Sequence, residues 1–253
     1  MLEVGNVFLC LGLLAGMLIL LEVGYRFGAR RMQKVVGEGT GLFDSAIFAL
    51  LGLLLGFAFA GAVDRLNDRR DLIVEEANAI STAYLLVDML ASEDQNPVRE
   101  NFHAYLAARL EVYREIDSGR DPSAKMQETG RLQNVIWDLS TISVKKESDS
   151  HAAEVYLPAL TSMIDVTTKR KVALDTHIPG LVLFLLICVS LCSALVAGAA
   201  TSKNRDRQPI HAALFAGAVA LTVYTILDLD NPRGGLIRLD AADRVLTSLR
   251  DAV

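Results

Sequence analysis

The chain has 253 residues, a net charge of −5, and 52 % apolar against 22 % charged residues, with a mean hydropathy of +0.34. Such values coexist only where apolar and charged residues are segregated along the chain, which excludes an ordinary soluble globule. The acidic balance leaves no basic footprint for nucleic acid.

Four uncharged apolar stretches, residues 4–21, 45–63, 178–202 and 209–227, carry the segregation. Each is long enough to cross a hydrocarbon core of roughly 30 Å as a helix of about 20 residues. The first is preceded only by Glu3 and followed by Glu22, Arg26, Arg30 and Arg31. A cleaved signal peptide needs a basic region before its apolar core, so a retained helix is expected. No helix breaker follows the second run. Leu66, Ile73, Ala77, Ile80, Tyr84, Val87 and Ala91 continue at the alternating spacing of three and four from Ile73 that makes a coiled-coil-like seam. One helix of about 70 Å is expected from Asp44 to Ala91, leaving the lipid at Asp64, Arg65, Asp68, Arg69, Arg70 and Asp71.

Asn96 and Pro97 read as an N-cap and first helical residue. They would open a helix whose apolar face is Val98, Phe102, Tyr105, Leu106, Leu110 and Tyr113, ended by Ser118-Gly119 and Asp121-Pro122. A further helix over 124–146 places Met126, Leu132, Val135, Ile136, Leu139 and Ile142 on one face. The next, from about Ala152, carries Val155, Leu160, Met163, Ile164 and Val172 and leads into the third run near Pro179. No strand-like alternation occurs. The expected fold is an all-α membrane protein. Four transmembrane helices in two pairs make up 1–63 and 178–227, a helical extramembrane domain, 64–177, is inserted between the second and third, and a C-terminal tail covers 228–253.

The connections 22–44 and 201–208 carry Arg26, Arg30, Arg31, Lys34, Lys203, Arg205 and Arg207, which the positive-inside rule places in the cytoplasm. Arg65, Arg69, Arg70, Lys169, Arg170 and Lys171 on the opposite flanks nearly balance them. Small residues recur every four positions, as Gly12/Gly16, Gly52/Gly56/Ala60, Ser190/Ala194/Gly198 and Ala213/Gly217. In lipid such stripes let backbones approach, so Gly52 and Gly56 are expected to pack helices, together with the seam, against neighbouring second helices. Cys10, Cys188 and Cys192 all fall within apolar runs and read as small hydrophobes.

No Asp, Glu, Lys or Arg lies inside any run, which argues against an ion-coupled pump. His103, His151, His177 and His211 have no ligand-type spacing, and neither a phosphate-binding Gly-rich loop nor Gly-x-Ser-x-Gly occurs, so no enzyme is expected. Glu75 and Glu76 with Asp71 and Asn78 offer a metal cluster or, as the expected reading, a solvated helix face, and Tyr105 with Arg109, at i, i+4, offers a contact across a helix interface or, as the default, an ordinary surface pair. Asp228, Asp230 and Asn231 offer oxygens to Ca²⁺. However, Asn231-Pro232 with Gly234-Gly235 also ends a helix, and one or two carboxylates fall short of the 6–8 oxygens Ca²⁺ takes. No other cofactor is expected.

Leu55-Gly56-Phe57 followed by Asp64-Arg65, Asp68 and Arg70 resembles the second helix of bacterial bestrophins, and the tail from Asp228 to Gly235 is similar to the segment after their fourth helix. Closer still is the resemblance to the bestrophin-like domain family of bacterial membrane proteins. It rests on Glu76-Ala-Asn-Ala-Ile, Thr82-Ala-Tyr, Tyr105 with Arg109, Leu157-Pro-Ala-Leu, Met163-Ile-Asp165 with Arg170, and Ile178-Pro179. The resemblance implies a multi-pass protein of the bacterial inner membrane and a homo-oligomer, with a pentamer around a pore lined by the second helix as one form. It places Ala49, Leu53 and Phe57 at a hydrophobic neck and the middle domain in the cytosol. The tryptophans of that helix are replaced here by Leu66 and Asn67. The first expectation is thus a passive pathway for inorganic ions, and the second is a non-conducting sensor or scaffold.

Overall fold

The computed structural model describes residues 2–31, 40–146, 150–202, 209–231 and 240–252, and among these it contains no strand. The helices are α1 (Leu2–Arg31), α2 (Thr40–Leu85), α3 (Ser92–Asp117), α4 (Ser123–Lys146), α5 (Ser150–Asp175), α6 (Gly180–Thr201), α7 (Pro209–Asp230) and α8 (Asp240–Ala252), with a 3₁₀ turn at Leu86–Met89 after α2. Lys34, Lys203, Arg205, Arg207, Pro232, Gly234 and Gly235 lie outside the described residues. Four helical segments, containing α1, α2, α6 and α7, are long and apolar enough to cross a membrane. The chain divides into two compact units, residues 1–66 with 177–237 and residues 67–176 with 238–253.

In the apolar unit, α1 packs along α6 and α7. Its inward stripe is Cys10, Leu13, Met17 and Leu21, spaced three and four apart, and α6 answers with Leu186, Ser190, Ala194 and Gly198. Ser190 and Ser193 donate to the carbonyls four residues back at 2.7 Å, so their hydroxyls leave no unmet polar group. The two backbones touch where glycines meet. A methyl group added at Gly198 would stand 2.0 Å from the Leu21 carbonyl oxygen, and one at Gly24 would stand 2.1 Å from that of Leu195. This is the close approach expected of small-residue stripes in lipid. It runs through Gly24, Gly28 and Gly198, whereas Gly12 faces open space.

In the second unit, all six residues assigned to the apolar face of α3 are buried. The helix starts at Ser92, five residues before Pro97, which therefore sits inside it. Glu93 and Asp94 in the first turn favour that start, and Lys146 of α4 bonds both carboxylates. The buried stripe of α4 is Thr129, Leu132, Ile136, Ser140 and Ser143, and Ile142 is exposed instead. The serines are buried because each has a partner: Ser140 with the Tyr156 hydroxyl at 2.8 Å, and Ser143 Oγ accepting from the Ala91 amide at 3.2 Å. On α5, Leu160 and Met163 are buried as expected, while Val155 and Val172 are exposed. The seam residues Ile73, Ala77, Ile80 and Val87 are buried within the chain's own unit. They are core, so the expectation that they pack against neighbouring second helices is corrected.

Candidate functional site

Three places on α2 carry the residues that the sequence singles out. The first is its apolar half. Leu51, Ala58 and Ala62 are buried, whereas Ala49, Gly52, Leu53, Gly56 and Phe57 all lie on exposed surface, Leu53 at 54 % and Phe57 at 68 %. A Cβ added to Gly52 or Gly56 meets nothing within 4 Å. The spacing 49, 53, 57 and 52, 56 puts both sets on one broad helix face, which the chain itself leaves uncovered. That face has no ionisable or hydrogen-bonding side chain to offer. What it can do chemically is pack against lipid or another helix, or line a dry passage.

The second place is the charged end of this run. Arg65 Nε lies 2.7 Å from Asp230 Oδ1, and the Ile178 amide donates to Asp230 Oδ2 at 2.9 Å. Asp230, 3 % exposed at the end of α7, thus ties together the exits of α2 and α7 and the approach to α6. Asp228 is buried beside it in sequence. Both oxygens of Asp230 are engaged by the protein, and among the described residues no three or more His, Cys, Asp or Glu side chains are grouped to hold a metal ion.

Farther along α2, in the second unit, Glu76 is fully buried rather than solvated. Arg109 of α3 contacts its Oε1 through Nε at 2.7 Å and a terminal nitrogen at 2.6 Å. Arg170 of α5 bonds Oε2, and Tyr113 donates to the same oxygen at 2.9 Å. Both guanidinium groups also stand over the Tyr113 ring, at 5.1 and 4.3 Å from its centre. Burial pushes the Glu76 carboxyl up, but the charges of Arg109 and Arg170 and the bonds from Arg170 and Tyr113 outweigh it and hold the group below the usual range. Burial pushes the Tyr105 and Tyr113 phenols above their usual values, so both remain neutral. One carboxylate facing two arginines leaves this core net positive.

Around that cluster, Gln133 Nε2 donates to the Tyr105 hydroxyl at 3.2 Å and to Thr167 at 3.3 Å. Arg69, buried as well, donates to the carbonyls of Ala173 and Thr176 and so closes the C-terminal end of α5. Glu76 is core rather than a solvated face, and for Tyr105 with Arg109 the surface pair gives way to the contact across a helix interface, Arg109 reaching Glu76 of α2. The arginines that hold Glu76 lie 33 and 94 residues away from it, beyond any local spacing rule. The apolar face of α3 already places Tyr105 and Tyr113 inside, while it is the resemblance that groups Glu76, Tyr105, Arg109 and Arg170, residues that the fold brings into one core.

A family model, the Bestrophin-like domain, matches residues 11–242. Among solved structures, crystal structures of a bacterial bestrophin homologue from Klebsiella pneumoniae share the fold. One single-residue variant matches with a TM-score of 0.70 at 14 % identity over 97 % of each chain. A second gives 0.68 at 15 % identity over 97 % of this chain and 98 % of the other. No curated protein matches the chain.

Proposed function

This chain belongs to the bestrophin-like domain family, and we propose that its copies assemble in a cell membrane around a passive ion pathway lined by α2, with a dry constriction at Ala49, Leu53 and Phe57. The observation that carries the proposal is the uncovered apolar face of α2: Leu53 and Phe57 are largely exposed in the isolated chain although they sit mid-span. Apolar rings obstruct ions by dewetting, and the apolar runs contain no ionisable relay of the kind active transport uses. A bacterial inner membrane and a pentamer are the setting and assembly in keeping with the family. Catalysis is not part of the proposal.

Conductance in planar bilayers tests it. The purified oligomer should pass little current, and Leu53→Ala/Phe57→Ala should pass at least about tenfold more because smaller side chains let water wet the neck. Conductance should be independent of Ca²⁺, because Asp230 is already held by Arg65 and the Ile178 amide. Silence of both proteins across voltage, pH and Ca²⁺, with the oligomer intact, would put the scaffold reading in its place.

Four spans further require that residues 64–177 lie on one side of the membrane and the two short connections on the other. With the native cysteines replaced, single cysteines at exposed Ser118 and Arg30 should react with an impermeant maleimide from opposite faces. Ser202 is a poor reporter because it is buried. Labelling of both positions from the same face overturns the four-span topology, and the reactive face of Ser118 gives the sidedness of the domain.

A further inference from the structure

In the apolar unit a cavity of about 470 Å³ opens among α1, α6 and α7, within the size range of small-molecule sites and at the end where α1 and α6 finish and α7 begins. Its inner wall is apolar, built from Leu18, Leu21, Ala197 and Phe215, and its mouth carries Glu22, Tyr25, Thr201 and His211. Leu18 and Leu21 belong to the last turns of the first apolar run, and Glu22 is the first charged residue after it. The cavity therefore crosses the level at which hydrocarbon gives way to head groups. Beyond the mouth the chain turns basic. The connections that leave this end, residues 22–44 and 201–208, hold seven basic residues against four acidic ones. One of those acids is Glu22 itself, and Arg26 Nε stands 2.7 Å from its carboxylate.

We propose that the cavity holds one acyl chain of an anionic phospholipid, whose phosphate stands outside the mouth among the basic residues. The site is separate from the face of α2 and requires no ion pathway. A phospholipid has a fixed order of acyl chain, ester-linked glycerol and phosphate, and α1 presents the matching order as it leaves the membrane. Leu18 and Leu21 wall the space for the chain. Glu22 and Tyr25 follow at the mouth, where the Tyr25 hydroxyl and the imidazole of exposed His211 are the polar groups at the level of the ester carbonyls. The Thr201 hydroxyl is engaged by the carbonyls of Ala197 and Gly198. At 1.5 Å per residue, exposed Arg26 and Arg30 lie about 6 and 12 Å farther out than Glu22, at the level of the phosphate. The head group is not enclosed, so the field of the two connections decides its class. Glu22 does not oppose an anion, because Arg26 compensates it, and the remaining excess of Lys and Arg near the surface favours a negative head group. A zwitterionic phospholipid would fill the same space without that gain, and a free phosphate would leave the apolar wall uncovered.

The experiment uses the intact protein in nanodiscs of equal phosphatidylglycerol and phosphatidylethanolamine, with retained lipid read by native mass spectrometry after transfer to detergent. About one lipid per protomer should be retained, with phosphatidylglycerol enriched roughly fivefold over phosphatidylethanolamine. Arg26→Gln/Arg30→Gln should keep the occupancy and bring the two lipids close to parity. Inorganic phosphate in excess should displace none of the retained lipid. Ala212→Trp, which fills the cavity, should abolish retention, and Leu18→Trp is a second filler should the first fail to give an intact oligomer. The proposal is overturned by an empty wild type, by parity or phosphatidylethanolamine enrichment in the wild type, by enrichment unchanged in the double arginine variant, by displacement with phosphate, or by retention unchanged in a folded filler variant.

Discussion

Glu76→Gln should destabilise the helical unit by about 3–5 kcal/mol, because it removes the single carboxylate that holds two buried arginines and strands their charges in a low-dielectric core. Against a total of roughly 5–15 kcal/mol for a domain, that loss takes a large part of the stability. Arg170→Met should cost less. It leaves Glu76 paired one-to-one with Arg109, still bonded by Tyr113, with no excess charge in the core. Thermal unfolding of the detergent-solubilised protein checks the order, and Arg170→Met unfolding at the lower temperature would contradict the account of the cluster. The pH dependence has a defined sign. The folded-state carboxyl of Glu76 titrates below its unfolded value, so its contribution is complete above the ordinary glutamate range and is lost as pH falls through the depressed value. The melting temperature of the wild type should therefore fall on acidification below about pH 4.5, and Glu76→Gln should lack that component.

The helices are legible in the sequence and the pairing of this cluster is not, because the two signals differ in range. An apolar run of about 20 residues is a local property, and so is the stripe of α3, where every residue placed on the apolar face is buried. Ion pairs between α2, α3 and α5 are not local. Glu76 stands beside Glu75 and five residues from Asp71, a neighbourhood that resembles a solvated face, and Glu75 is indeed half-exposed and paired with Lys169 at 2.9 Å. Only the direction of one side chain separates the two glutamates. The same limit applies to Ser140 and Ser143. Polarity patterns place serine outside, whereas here hydroxyl partners on other elements make burial affordable and leave Ile142 exposed. In the seam, Ile73, Ala77 and Ile80 face a packed surface as their spacing implies, but it is supplied by the chain's own helices rather than by a neighbour.

The glycines of the membrane helices divide by the same distinction between contacts inside one chain and contacts it leaves open, and this yields the second large effect. Gly198→Ala should be severely damaging, because the three atoms nearest the added methyl are the Leu21 carbonyl oxygen, carbon and Cα, at 2.0, 2.8 and 3.0 Å. Those atoms are backbone and cannot rotate away. The α1–α6 contact must open along its length, at a cost at or above the roughly 1–3 kcal/mol of ordinary overpacking. Lower yield and melting temperature of the protomer itself are expected, with Gly24→Ala behaving alike against the Leu195 carbonyl. Gly56→Leu should do the opposite. Its surroundings are empty within the chain, so the protomer should fold with near-normal stability, and a leucine there can only obstruct something that comes from outside. If the uncovered face of α2 meets other copies, Gly56→Leu lowers the native mass of the detergent-solubilised assembly while leaving helicity and the melting of the protomer intact. An assembly of unchanged mass would mean that this face looks only at lipid, and the pathway proposed along Ala49, Leu53 and Phe57 would lose its walls.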